Sequence, residues 1–158
     1  VLADINPAML QQGRTRLLNE GILVDYAQVN AEKLPFADNS FDVISIAFGL
    51  RNVPRKEHAL QSMYQALKPG GQLMILEFSH PTWIGLEWLY KWYSFNIVPK
   101  LGQWVAQDAP SYQYLVESIQ KHPSQTALIQ MMQDAQFEDC RYENLTGGIV
   151  AIHRGVKY

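Results

Sequence analysis

Two stretches constrain this chain more than any other feature. One is Phe41 to Asn52, FDVISIAFGLRN; the other is Leu67 to Ser79, LKPGGQLMILEFS. Each holds an apolar run too short for a helix and long enough for a buried strand. A helix-length segment lies between them. Two such strands joined by a helical crossover form a parallel α/β unit. In parallel sheets ligands bind beyond the carboxyl ends of the strands. Arg51, Asn52, Glu77 and Ser79 follow or end these two strands, so they are expected at one rim.

The rest of the chain extends this rhythm. Val1 to Ile5 reads as a short strand. Asn6 is placed to cap a helix and Pro7 to occupy its first turn. Met9, Leu10, Leu17 and Leu18 give that helix an apolar stripe, and Gly21 ends it. Strands are expected at Val24 to Val29 and Phe41 to Phe48. A helix from about Arg55 to Leu67 closes at Pro69-Gly70, and Gln72 to Phe78 is the next strand. The segment from about 80 to 110 breaks the alternation. It holds all four tryptophans, Trp83, Trp88, Trp92 and Trp104, with Tyr90, Tyr93 and Phe95 among them. A helix is expected from about Trp83 to Phe95. Further helices are expected at Tyr112 to Lys121 and from Ser124 to about Gln136. Phe137 to Asn144 and Gly148 to Arg154 read as a closing antiparallel pair. Strand–helix alternation of this kind is doubly wound α/β architecture.

Composition narrows the function classes. The 158 residues suit one domain with one core. Charged residues make up 18% and the formal net charge is −2, which argues against nucleic acid as a partner. The four histidines are not spaced as a metal site, and His80 reads as a surface residue. Cys140 is the single cysteine, so no disulfide forms within the chain. It reads as a small strand residue. No run approaches the roughly 20 apolar residues of a spanning helix.

The order ADINPAML, NAEKLPF, FGLRN, LKPGG, LEFS, QDAPSYQYLVESI, NLTGGIVAIH and HRGVKY resembles the ubiquinone/menaquinone biosynthesis C-methyltransferase family, the UbiE type. LKPGG alone is shared by many methyltransferases. FGLRN with LEFS and NLTGGIVAIHRG in this order is specific. The resemblance implies a class I, Rossmann-like methyltransferase fold. It also implies methyl transfer from S-adenosylmethionine to a ring carbon of a polyprenylated benzoquinol or naphthoquinol. Location would be cytoplasmic, peripheral to the inner membrane. Class I methyltransferases open with a strand and a glycine-rich loop. Here the first residues read as the second strand, and no glycine pair precedes Gly70-Gly71. The chain is therefore expected to be one incomplete domain, residues 1–158, lacking the first strand and its loop. The aromatic-rich insert lies at about 80–110.

Site residues follow from the same resemblance. Asp4 ends the first strand and would accept hydrogen bonds from the cofactor ribose; the alternative is a surface acid at the start of the following helix. Asn30 and Ala31 would lie against the adenine; the alternative is an ordinary turn, which asparagine favours. Ala47 stands where a hydroxyl residue is expected beside the cofactor, so one side-chain hydrogen bond is absent. Arg51 would stabilise a developing phenolate or polarise a water; a guanidinium is no base at ordinary pH. Its alternative is a structural ion pair with Glu77 or Asp108. Asp108 is the better general-base candidate, against a plain capping role. Asn52, Tyr93 and Tyr112 would line the quinol pocket. The tryptophan-rich insert suits a prenyl tail or a membrane interface, or simply covers the sheet.

Two other classes stay open: a methyltransferase for another small molecule, and a non-catalytic binding or scaffold protein. A sheet without its middle strand exposes two edges. The chain is accordingly expected to form a homodimer, by exchange of the Val1 to Gly21 segment or by edge-to-edge pairing, and to bind S-adenosylmethionine weakly or not at all by itself.

Overall fold

The computed structural model describes residues 1–81 and 109–158. Its first unit is β1 (Leu2–Asp4), α1 (Pro7–Asn19) and β2 (Tyr26–Gln28), with β1 and β2 parallel in the register Leu2 opposite Tyr26. Asn6 caps α1 as expected: its Oδ1 accepts the Ala8 N–H at 2.9 Å. Pro7 sits in the first turn. The helix ends at Asn19, and Gly21 follows with φ +73°, a conformation that costs other residues. The second strand is shorter than the expected Val24 to Val29. Leu23 and Val24 stay outside it and are exposed.

The second unit is a four-stranded sheet ordered β3-β4-β6-β5. It comprises β3 (Phe41–Ala47), β4 (Leu67–Phe78), β5 (Glu138–Leu145) and β6 (Val150–Val156). β3 and β4 are parallel, Ile46 opposite Ile75, and are joined through α2 (Lys56–Ala66). β6 runs antiparallel to both β4 and β5, the expected closing pair. Between β4 and β5 lie α3 (Ala109–Lys121) and α4 (Gln125–Asp134). Ser124 caps α4, its Oγ accepting from the Ala127 N–H. The Pro-Gly-Gly turn opens β4 and has a steric reason. Gly70 has φ +81°, and a Cβ on Gly71 would sit 2.8 Å from the Lys68 carbonyl oxygen.

The core forms where α2 and α4 cover the same sheet. Leu60 and Met63 of α2, Leu128 and Met132 of α4, and Leu73, Ile75 and Phe137 are buried together. Lys157 ties the chain end into this body. Its ammonium donates to Asn39 Oδ1, to the Tyr64 carbonyl and, at 2.7 Å, to the Leu67 carbonyl. These last carbonyls of α2 have no partner within the helix, so the lysine acts as its C-terminal cap.

The β1-α1-β2 unit is packed differently. α1 buries none of its residues, and Met9 and Leu18 of the expected apolar stripe are about half exposed. The stripe is real in sequence, but among the described residues the main neighbours of this helix are its own two short strands. β1 and β3 each keep an unpaired edge, and the cleft between the two units is lined by both strands.

Candidate active site

The carboxyl ends of β1, β2, β3 and β4 carry the expected site residues, and local chemistry explains each placement. At the end of β1, Asp4 Oδ1 accepts the Asn6 N–H at 2.8 Å, which turns the chain into α1. The Val29 N–H donates to the Asp4 carbonyl at 3.0 Å, locking the ends of β1 and β2 side by side. Asn30 then forms a tight turn, its Oδ1 accepting the Glu32 N–H at 3.0 Å. Glu32 in turn caps α2: it accepts the Arg55 backbone N–H at 2.9 Å and the Arg55 guanidinium at 2.7 Å. The Arg55 backbone bond, then its side chain, hold the Glu32 carboxyl below the usual range. NAE thus links the end of β2 to the start of α2.

A cleft of about 610 Å³ opens between β1 and β3. Asp4, Ala31, Ala47 and Gly49 line it together with the apolar Leu2, Val29, Ile44 and Ile46. Asp4 is the one charged side chain among the described residues that line it. Asn30 lies on the adjoining turn and is exposed. Three of the four residues expected on the cofactor therefore meet around one space, and the fourth borders it.

Arg51 and Asn52 sit just beyond, in a short 3₁₀ turn, Leu50–Asn52. Phe48 enters it with φ +53°, sparsely populated for a bulky residue and common where a site holds strain. The Phe48 carbonyl accepts a bond from Arg51 Nη1. The same nitrogen pairs with Glu77 Oε1 at 2.8 Å, and the guanidinium stacks 5.4 Å from the Phe78 ring centre. The ion pair considered from sequence is thus formed, with Glu77 as partner. Arg51 Nε is buried without a hydrogen-bond partner.

Sequence reasoning missed Tyr114. Its hydroxyl donates to Asn52 Oδ1 at 3.1 Å, bringing α3 onto the rim. The backbone of Tyr112 belongs to the first turn of α3. Its side chain, Tyr93, Asp108 and the four tryptophans lie outside the described residues.

His80 departs from its expected surface role. It is half buried, with Nε2 3.0 Å from the His122 carbonyl, and its own carbonyl accepts from Gln125 Nε2 at 2.9 Å. Gln125 also donates to Asn144, and its carbonyl lies 3.2 Å from His153 Nε2. This buried polar junction fastens the α3–α4 corner to the sheet. Burial holds His122 down to about 3 from 6.5, helped by the nearby Lys56 charge. Burial also lowers His153, against its bond to Gln125. Both are therefore neutral in the fold. An unfolded chain binds protons near 6.5, so the contribution of both groups is complete above that pH and is lost as pH drops below it, for His122 down to about 3. The expected slope is up to about 1.4 kcal/mol per pH unit for each such group. Denaturant titrations at pH 7.5 and 5.5 measure it, and His122→Gln should flatten the decline. Among the described residues no group of histidine, cysteine, aspartate and glutamate could hold a metal. Cys140 stays a thiol, its pKa raised by burial to about 11.

A curated relative from Legionella pneumophila (strain Paris), the ubiquinone/menaquinone biosynthesis C-methyltransferase UbiE, is 60% identical over the whole chain. One from Psychromonas ingrahamii with the same name is 59% identical over 99% of it. The chain spans 64% and 63% of these two relatives. Solved structures share the fold. A SAM-dependent methyltransferase from Aquifex aeolicus matches 99% of the chain and 67% of its own, at 16% identity and TM-score 0.67. One from Methanosarcina mazei covers 98% and 80%, at 20% identity and TM-score 0.66. The model of the ubiE/COQ5 methyltransferase family matches residues 1–157, and the chain belongs to that family.

Proposed function

We propose that this chain carries the adenosine side and the acceptor side of a C-methyltransferase that uses S-adenosylmethionine and a polyprenylated benzoquinol or naphthoquinol. The observation that carries this reading is the shared rim. Asp4, Ala31 and Ala47 line one cleft, and the Arg51–Asn52 turn follows directly after its Gly49 wall. The residues fit an adenosine. Asp4 Oδ1 is engaged with the Asn6 N–H, which leaves Oδ2 for ribose hydroxyls. Asn30 has its oxygen in the turn and its amide N–H₂ for the base. Val29 and Ala31 offer an apolar face. The cofactor, when bound, supplies an electrophilic methyl group on a sulfonium.

The acceptor ring must be electron-rich at carbon. Arg51 provides fixed positive charge at the rim, where a quinol hydroxyl loses its proton and a phenolate builds up. Asn52, held by Tyr114, is placed to orient the second ring oxygen. Asp108 is the proposed proton acceptor, and Tyr93 and Tyr112 the proposed ring contacts. The tryptophans at 83, 88, 92 and 104 would hold the prenyl tail and touch a membrane surface peripherally. No described helix is long and apolar enough to cross a membrane.

Calorimetric titration tests the cofactor half. Asp4 is the one charged side chain among the described residues that line the cleft, so no described side-chain cation there meets the carboxylate of the methionyl part. The 158-residue chain should bind S-adenosylmethionine weaker than micromolar. A fusion of the chain with the part of the Legionella pneumophila relative outside the matched region should bind it tightly, and Asp4→Ala should weaken that binding. Equal affinity with and without Asp4 would remove the adenosine assignment.

The proposed partner of the chain itself is a second copy. Leu23 is 83% exposed, and Val1, Ile5 and Val43 are each more than half exposed. Exchange of the Val1 to Gly21 segment between two chains would cover these residues and the open edges of β1 and β3. Light scattering should give a dimer mass. A monomer at high concentration contradicts it.

A further inference from the structure

We propose that Glu77 is the positioning residue that sets which edge of the Arg51 guanidinium faces the acceptor. The consequence for catalysis rests on the methyl-transfer reading; the placement of Arg51 does not. Glu77 ends an internal strand and is 1% exposed. A carboxylate buried this deeply must be fully paired. Its partners come from both ends of one residue. Oε2 accepts the Arg51 backbone N–H at 3.1 Å, and Oε1 accepts Arg51 Nη1 at 2.8 Å. Oε1 also accepts the Phe78 N–H at 2.9 Å, which holds the carboxylate itself in one rotamer. Glu77 thereby fixes the main chain and the side chain of Arg51 together.

The donor inventory shows what this leaves. A guanidinium has five N–H groups. The two on Nη1 go to Glu77 and to the Phe48 carbonyl. Nε is buried with no partner among the described residues, and the side-chain bonds of Arg51 to described residues all leave from Nη1. Nε and Nη2 form one edge of the planar group, a two-donor fork suited to oxygen acceptors. The Phe78 ring lies beside the guanidinium, 5.4 Å from Cζ to the ring centre. Glu77 therefore presents the Nε–Nη2 edge toward the phenolate oxygen or a water bound to it.

The test uses Glu77→Gln, which keeps the shape and removes the charge. In the 158-residue chain, the Arg51 Nε–H resonance should be sharp and slow to exchange. In Glu77→Gln, at unchanged secondary structure by circular dichroism, it should exchange at least about tenfold faster. In the fused protein, kcat should fall at least about tenfold while KM for S-adenosylmethionine stays within twofold. A folded Glu77→Gln with an unchanged Arg51 signal would overturn the inference. So would an altered signal with unchanged kcat. A fused protein with no turnover on any quinol, yet with the Arg51 signal responding, supports the positioning and rejects the methyl-transfer reading instead. If Glu77→Gln does not fold, Phe78→Leu, which removes the stacking face alone, should broaden the same resonance, and no broadening there overturns the inference.

Discussion

Arg51→Lys in the fused protein should lower turnover about 10²–10³-fold, the usual cost of losing one preorganised donor at a developing oxyanion. Lysine keeps a positive charge against Glu77, so the buried carboxylate is not stranded. Its single ammonium cannot hold Glu77, the Phe48 carbonyl and an acceptor oxygen in one plane, as the guanidinium does. Arg51→Ala is the less clean variant. It leaves Glu77 charged and unpaired, which costs about 3–5 kcal/mol and mixes a stability defect into the rate. Steady-state kinetics beside cofactor calorimetry separate the two effects. Affinity for S-adenosylmethionine should change little in Arg51→Lys. A parallel loss of affinity would move Arg51 from the acceptor side to the cofactor side.

Phe137→Ala should produce the largest loss of stability, about 3–5 kcal/mol. Phe137 is 2% exposed and stands edge-on to Tyr64, ring centres 5.2 Å apart. It also closes against β6. A Cβ on Gly155 would lie 3.1 Å from Phe137 Cβ and 2.9 Å from Met132 Cε, so α4, β5 and β6 approach closely there. That close approach leaves little room for collapse into the cavity, which places the cost toward the upper end. Urea denaturation should show a lower midpoint with an unchanged slope. A loss below about 1 kcal/mol would mean that the core relaxes around the deletion.

These two residues also show how far the sequence could be read. Strand-end residues were legible, because two apolar runs joined by a helical crossover form a parallel pair whose polar carboxyl ends share one rim. The caps Asn6 and Ser124 and the Gly70-Gly71 turn were legible for the same kind of reason, since few residue types satisfy those backbone positions. The partner of Arg51 was open between Glu77 and Asp108, because pairing across 26 positions depends on sheet register. The register that sets Ile46 opposite Ile75 brings Glu77 to Arg51, while Asp108 lies outside the described residues. Tyr114 was not legible, because which face of α3 meets Asn52 depends on a helical phase that no local pattern sets. His80, His122 and His153 looked unremarkable as single letters. Their junction with Gln125 is assembled from three separate elements, and no local pattern announces it. The α1 stripe misled in the other direction, because amphipathic spacing states what a helix is able to bury, not what is there to cover it.

The most direct test of the whole account is the product of one reaction. The fused protein is incubated with S-adenosylmethionine carrying a ¹³C-labelled methyl group and a reduced, long-tailed prenylated quinol. The account predicts one labelled methyl on a ring carbon, seen by mass and by carbon NMR, formed from the quinol and not from the oxidised quinone. Arg51→Lys should give the same product far more slowly. Label on an oxygen, or equal reaction of quinone and quinol, would contradict the placement of an electron-rich ring carbon beside Arg51.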